Sequence, residues 1–218
     1  MRGRNRNWWN EGQMVKIQTE AFRKVTAETA QEICGRADLS AEARPFLLPD
    51  LSPQGFLSLL VDAENIGDAV RFLAFALPIR EAVWWAYVVA KTSLHAPTEL
   101  ELLCLERAAA WVYAPDEARR RSCMECAESA NFTGAAAYAA LAVFWSGGSL
   151  APEGMPDAEA DPRLGPIGVG ASVLLSITAG DATTLADRFE TAVVRAVNVA
   201  NGGNGWLPGE RPTGANGS

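Results

Sequence analysis

Between Glu28 and Ala200 the chain is cut repeatedly by helix start and stop signals, and the pieces between the cuts carry apolar residues at helical spacing. Ser52-Pro53 supplies a capping serine and then a proline at the first helical position, where a missing N–H costs nothing. It opens a helix with Phe56, Leu57, Leu59 and Leu60. After a break at Asp62–Asn65, Val70, Leu73 and Leu77 recur on one face. Pro78 restarts the chain as PIREAVWWAYVVAK, and Pro97-Thr98 launches a helix in which Leu100, Cys104, Ala108 and Trp111 share a side. Pro115-Asp116-Glu117 begins the next, with acids in the first turn where the helix dipole favours them. Thr133 heads an alanine-rich helix ending at Trp145, which Gly147-Gly148 stops. Ile167–Ala179 and Leu185–Val199 complete the series, the last with Phe189, Val193, Ala196 and Ala200 in line. Glu28–Arg36 reads as the first helix, and only Val15–Thr19 alternates as a strand would.

This punctuation predicts an all-α fold: a compact bundle of about eight to nine short antiparallel helices joined by short turns. A short α-solenoid is the alternative, disfavoured because no self-matching repeat of about 34 or 40 residues is visible. Residues 1–14 read as a disordered segment and 15–205 as one helical domain. Within it, 149–166 is rich in proline, glycine and acid and reads as a surface linker. The chain reads as frayed from Gly202 onward, with residues 206–218 a disordered tail.

The 218 residues are 49% hydrophobic and 21% charged, enough apolar material for a core without metal or disulfides. A formal charge of −7 argues against general nucleic-acid binding, which needs a basic surface. The start MRGRNRNWWNEGQM has arginines with no apolar run behind them, so it does not read as a secretory signal. The longest uncharged apolar run, Phe132–Trp145, is too short for a membrane span. The expected location is therefore the cytoplasm, without membrane insertion.

The four cysteines then read as free thiols. Cys123 and Cys126 form one C-x-x-C, placed inside a helix and not at the strand-to-helix corner of a redox pair. With His95 the only histidine, a Cys₂His₂ zinc site is impossible, and no metal or cofactor is expected. His95 lies in a turn with no third group to orient it as a base. Arg119, Arg120 and Arg121 stand among Asp116, Glu117, Glu125 and Glu128, which reads as a solvated face of i,i+4 pairs.

Two stretches stand out. In LPIREAVWWA, Glu81 lies one turn before Trp85. A carboxylate among tryptophans acquires a raised pKa and serves as a general acid, whereas an acid in the first turn after a proline ordinarily answers the dipole and pairs with a base. Trp84 and Trp85 cannot share a face, so one of them reaches a second layer or the surface, where tryptophan anchors partners. In FWSGGSLAP, Trp145, Gly147 and Gly148 suggest an anion cradle or, more simply, a helix stop, since no phosphate-loop motif is present.

These two motifs, with the helix that ends at Asn201-Gly202-Gly203, resemble an uncharacterised proteobacterial domain-of-unknown-function family, often encoded near type VI secretion genes. The resemblance spans Val15 to Gly205 and matches at Pro78, Arg80, Glu81, Trp84, Trp85, Trp145, Gly147 and Gly148. It implies a protein-binding accessory role, adaptor or chaperone-like, with a type VI secretion component or effector as partner, and it implies no catalytic residue. The expected binding residues are Arg80, Glu81, Trp84, Trp85, Trp145, Gly147 and Gly148. The competing expectation is a small-ligand binder or enzyme built on the Arg80/Glu81/Trp84/Trp85 helix.

Overall fold

The computed structural model describes residues 22–210. The strand expected at Val15–Thr19 and the disorder expected for residues 1–14 and 211–218 lie outside them. The described residues form nine α-helices. They are α1 (Ala30–Ala37), α2 (Pro53–Asp62), α3 (Ile66–Ala76), α4 (Ile79–Ser93), α5 (Glu99–Tyr113), α6 (Glu117–Ser129), α7 (Gly134–Phe144), α8 (Leu164–Thr178) and α9 (Leu185–Ala200).

Most start where the cap chemistry puts them. Thr29 and Thr98 each close a capping box, with Glu32 and Glu101 reaching back to the cap N–H. Ser52, Asn65 and Asp116 each accept a backbone N–H one turn on. Thr133 differs: it precedes α7, but its hydroxyl donates to the Asn131 carbonyl and caps nothing. α8 begins earlier than its apolar periodicity suggests, because Pro166 sits comfortably in a first turn and the helix extends back to Leu164.

The architecture is a bundle. In a solenoid each helix would touch only its sequence neighbours. Here α8, late in the chain, packs on α3, α4 and α7 as well as α9, and α4 meets α5, α7, α8 and α9. α4 and α8 are therefore the central pair. α8 crosses α7 closely, since a Cβ on Gly168 would lie 2.9 Å from the Ala142 Cα. Small residues on both helices permit that approach, and buried alanines at 136, 137, 139, 140 and 142 line α7. No single helix among the described residues is long and apolar enough to cross a membrane.

Residues 145–163 connect α7 to α8 as a surface loop closed on itself, with Ser149 and Glu159 bridged and Leu150 N donating to Ala158 O at 2.7 Å. The glycine-rich stretch after α9 is held as well. Arg195, only 2% exposed, donates to Gly205 O at 2.9 Å and pairs with the Glu210 carboxylate at 2.8 Å. The fraying expected from composition is thus replaced, as far as Glu210, by anchorage to a buried arginine.

Candidate functional site

α4 sorts its motif by helical rotation. Ala82, Val83, Trp85, Ala86 and Val88 turn inward, while Arg80, Glu81, Trp84 and Tyr87 reach the surface or its edge. Trp85 is fully buried, and its indole N–H donates to the Ala192 carbonyl at 2.8 Å. It belongs to the core and is out of a partner's reach, because adjacent residues on a helix point about 100° apart.

Trp84 is the surface member of the pair. Its indole N–H donates to Asn204 O at 2.9 Å, and its ring stacks on Tyr87 with centroids 4.9 Å apart. Tyr113, at the end of α5, meets Trp84 edge-on at 5.5 Å, and Trp206 meets Tyr87 edge-on at 6.2 Å. Four rings from three segments thus form one ledge. Tyr113 is 73% exposed, and the other three rings are half-buried. Burial first, and then the neighbouring Tyr113 and Glu106, push the Tyr87 hydroxyl above its ordinary pKa, so it stays a neutral hydrogen-bonding group.

The charged members of the motif are structural. The Arg80 guanidinium donates through Nε at 3.1 Å, and through Nη2, to Val112 O, answering an unpaired carbonyl at the end of α5. Glu81 pairs with Lys24 at 3.2 Å. The α4 surface therefore brings Arg80, Glu81 and Trp84 together, but with the acid committed to a lysine. Neither of two clefts elsewhere on the molecule, one beside Asp68 and one between α1, α3 and α8, includes any of the three.

The FWSGGSLAP residues are used differently. Arg120 is 4% exposed, with its guanidinium 4.7 Å from the Phe144 ring centroid. It donates to Phe144 O and, at 2.8 Å, to Ser149 O, while Glu117 holds its other edge. Arg121 adds a bond to Ala151 O at 3.0 Å. Gly148, at φ +67°, is required here: a Cβ would stand 3.1 Å from the guanidinium. The solvated arginine face expected on α6 is thus corrected at Arg120, which clamps the loop after α7. Gly147 and Gly148 shape that loop and Trp145 ends α7; none joins the aromatic ledge. The two motifs do meet, at Gly165 of α8, where a Cβ would contact Ile79 Cδ1 at 2.9 Å and Ser146 Cα at 3.3 Å.

Cys123 and Cys126 are buried, and Cys104 joins them across the α5–α6 packing. Burial drives the Cys123 thiol up to about 12 and Cys104 higher still, so both stay protonated and unreactive at neutral pH. Half-buried Cys34 is raised to about 11 by burial and by Asp68. Among the described residues no group of three or more His, Cys, Asp or Glu is placed to hold a metal.

The sequence pointed to Trp84 and missed its companions. Tyr87 was findable, three residues on and hence on the same face. Tyr113 and Trp206 were not, since only packing brings the end of α5 and a glycine-rich stretch beside α4. Residues 56–200 match the model of a family of unknown function, DUF6931. No curated protein and no solved structure matches the chain.

Proposed function

The chain belongs to the DUF6931 family, and from that footing we propose that it is a protein-binding accessory module, adaptor or chaperone-like, serving type VI secretion in the cytoplasm. The observation that carries the reading is the ledge of Trp84, Tyr87, Tyr113 and Trp206. Tryptophan and tyrosine dominate binding energy at protein interfaces because they bury much area for little entropy. An outermost ring as exposed as Tyr113 contributes little to folding and is available to a partner. The secretion setting rests on the motif resemblance alone. Catalysis or ligand binding on the Arg80/Glu81/Trp84/Trp85 helix is the weaker reading, since Glu81 is ion-paired and Trp85 lies in the core.

Co-purification from the native host tests this directly, with wild-type protein beside Tyr113→Ala. The wild type is expected to retain a secretion component encoded nearby, and the variant to lose it while keeping the wild-type melting temperature. Equal recovery by both proteins, or none by either, overturns the proposal.

A further inference from the structure

We infer that the seam between α4 and α9 is a self-recognition site, which takes the Asn204–Glu210 stretch of a second copy of this chain in place of its own. The stretch lies there as a peptide ligand lies in a receptor. Trp84 Nε1 donates to Asn204 O at 2.9 Å, Gly205 N donates to Asn198 Oδ1 at 2.8 Å, and Arg195 donates to Gly205 O at 2.9 Å. Three side chains thus read two consecutive peptide groups. The slot between them is glycine-sized: Gly205 has φ +73°, and a Cβ there would stand 3.1 Å from Val199 and 3.7 Å from Val88. Arg195 also grips the Glu210 carboxylate with both ends of its fork, Nη2 to Oε1 and Nη1 to Oε2, each at 2.8 Å. The Trp206 ring meets Tyr87 edge-on.

The seat itself says what fills it. Among the described residues, the hydrogen bonds that tie Asn204–Glu210 to the helices all end on side chains of α4 or α9, and no main-chain pairing joins them. The receptor is therefore complete on two helices that pack on each other, whichever chain supplies the ligand. It demands a glycine, an aromatic residue next to it and a carboxylate four residues further on. The carboxylate answers Arg195, a buried cation with no other ion-pair partner among the described residues. The stretch itself meets all these demands, so a second copy brings both the matching ligand and the same seat. Reciprocal exchange closes a two-fold pair with no new contact, and Trp206 of each copy completes the ledge of the other. Gly202 makes the turn that keeps the stretch at home, at φ +87° and with its N–H donating to Val199 O at 2.9 Å. Opened out, residues 201–203 span up to about 10 Å, enough to swing the stretch off its own α9. The closed form competes at an effective concentration of about 1 mM, so the turn and the protein concentration govern exchange. Nothing in this inference uses the secretion partner proposed above.

The test sizes the full chain by light scattering after refolding from denaturant at about 10 µM and about 1 mM, as wild type and as Gly202→Pro. Proline holds φ at about −65° and lacks the N–H, so the closing turn cannot form. Gly202→Pro is expected to be a dimer at both concentrations. Wild type should be a monomer at the lower one and partly dimeric at the higher. Adding Glu210→Gln to Gly202→Pro should weaken the dimer by about tenfold or more, and adding Tyr113→Ala should leave it unchanged. A monomeric Gly202→Pro with wild-type circular dichroism overturns the inference and leaves the seam to a segment of another protein. A dimer indifferent to Glu210→Gln overturns it as well. Should Gly202→Pro fail to fold, the wild type at the higher concentration decides: a dimer fraction that Glu210→Gln abolishes supports the inference, and a monomer overturns it. The pull-down with Tyr113→Ala reads the partner proposal separately from all these outcomes.

Discussion

Arg120 shows how far a single side chain departs from its neighbours of the same type. It stands between Arg119 and Arg121, yet its guanidinium is buried over Phe144 and holds two carbonyls of the loop after α7. Replacing it with methionine leaves those carbonyls without their donor. The expected loss is about 3 kcal/mol, read as a lower denaturant midpoint. Lysine should not restore it, since one ammonium cannot span a fork of partners. Asp68 gives a pH signature. Burial would raise its pKa, but the Ser40 hydroxyl and N–H, Asn65 and the Arg71 guanidinium outweigh burial and hold it below the ordinary value. In the window between the two values the folded chain binds fewer protons than the unfolded one. The stabilisation is therefore complete above the unfolded pKa of about 4 and is lost as pH falls through the lower, folded one. Thermal melts from pH 6 to pH 3 should show a shallower decline for Asp68→Asn than for wild type.

At the scale of the helix, the α7–α8 crossing depends on absent side chains. A Cβ at Gly168 would press on the Ala142 backbone, which cannot swing aside as a side-chain tip would. Gly168→Val is expected to destabilise by about 2 kcal/mol or more. Gly35, inside α1, meets nothing within 4 Å, so Gly35→Ala should stabilise by about 0.5–1 kcal/mol through helix propensity alone. Chemical denaturation of the two variants separates these opposite signs. The element boundaries followed local rules wherever a cap was chemically complete, as at Thr29, Ser52 and Thr98. At Thr133 the boundary held without a side-chain cap, and it departed at Leu164, where a tolerated proline let the helix begin earlier.

Across the whole molecule, the stretch after α9 acts as a strap. It brings Gly205 O and Glu210 to buried Arg195, Asn204 O to Trp84, and Trp206 to Tyr87. Ending the chain after Gly203 strips Arg195 of these partners and should cost about 3 kcal/mol, because an unpaired charge then stays buried. The same truncation removes one ring of the ledge, so partner capture should fall with it. A melting curve and the pull-down, run together on this truncation, read both effects.

Local rules determined the all-α class, the order of the helices, most of their caps and the division of Trp84 from Trp85. Caps, prolines and helical rotation act within a few residues, so the linear chain displays them. The ledge, the buried Arg120, the Cys104–Cys126 meeting and the strap on Arg195 join residues from separate parts of the chain. Each depends on which helices come to lie together. Spacing along the sequence has no access to that, because it follows from the close crossing of α7 and α8 and the central placement of α4.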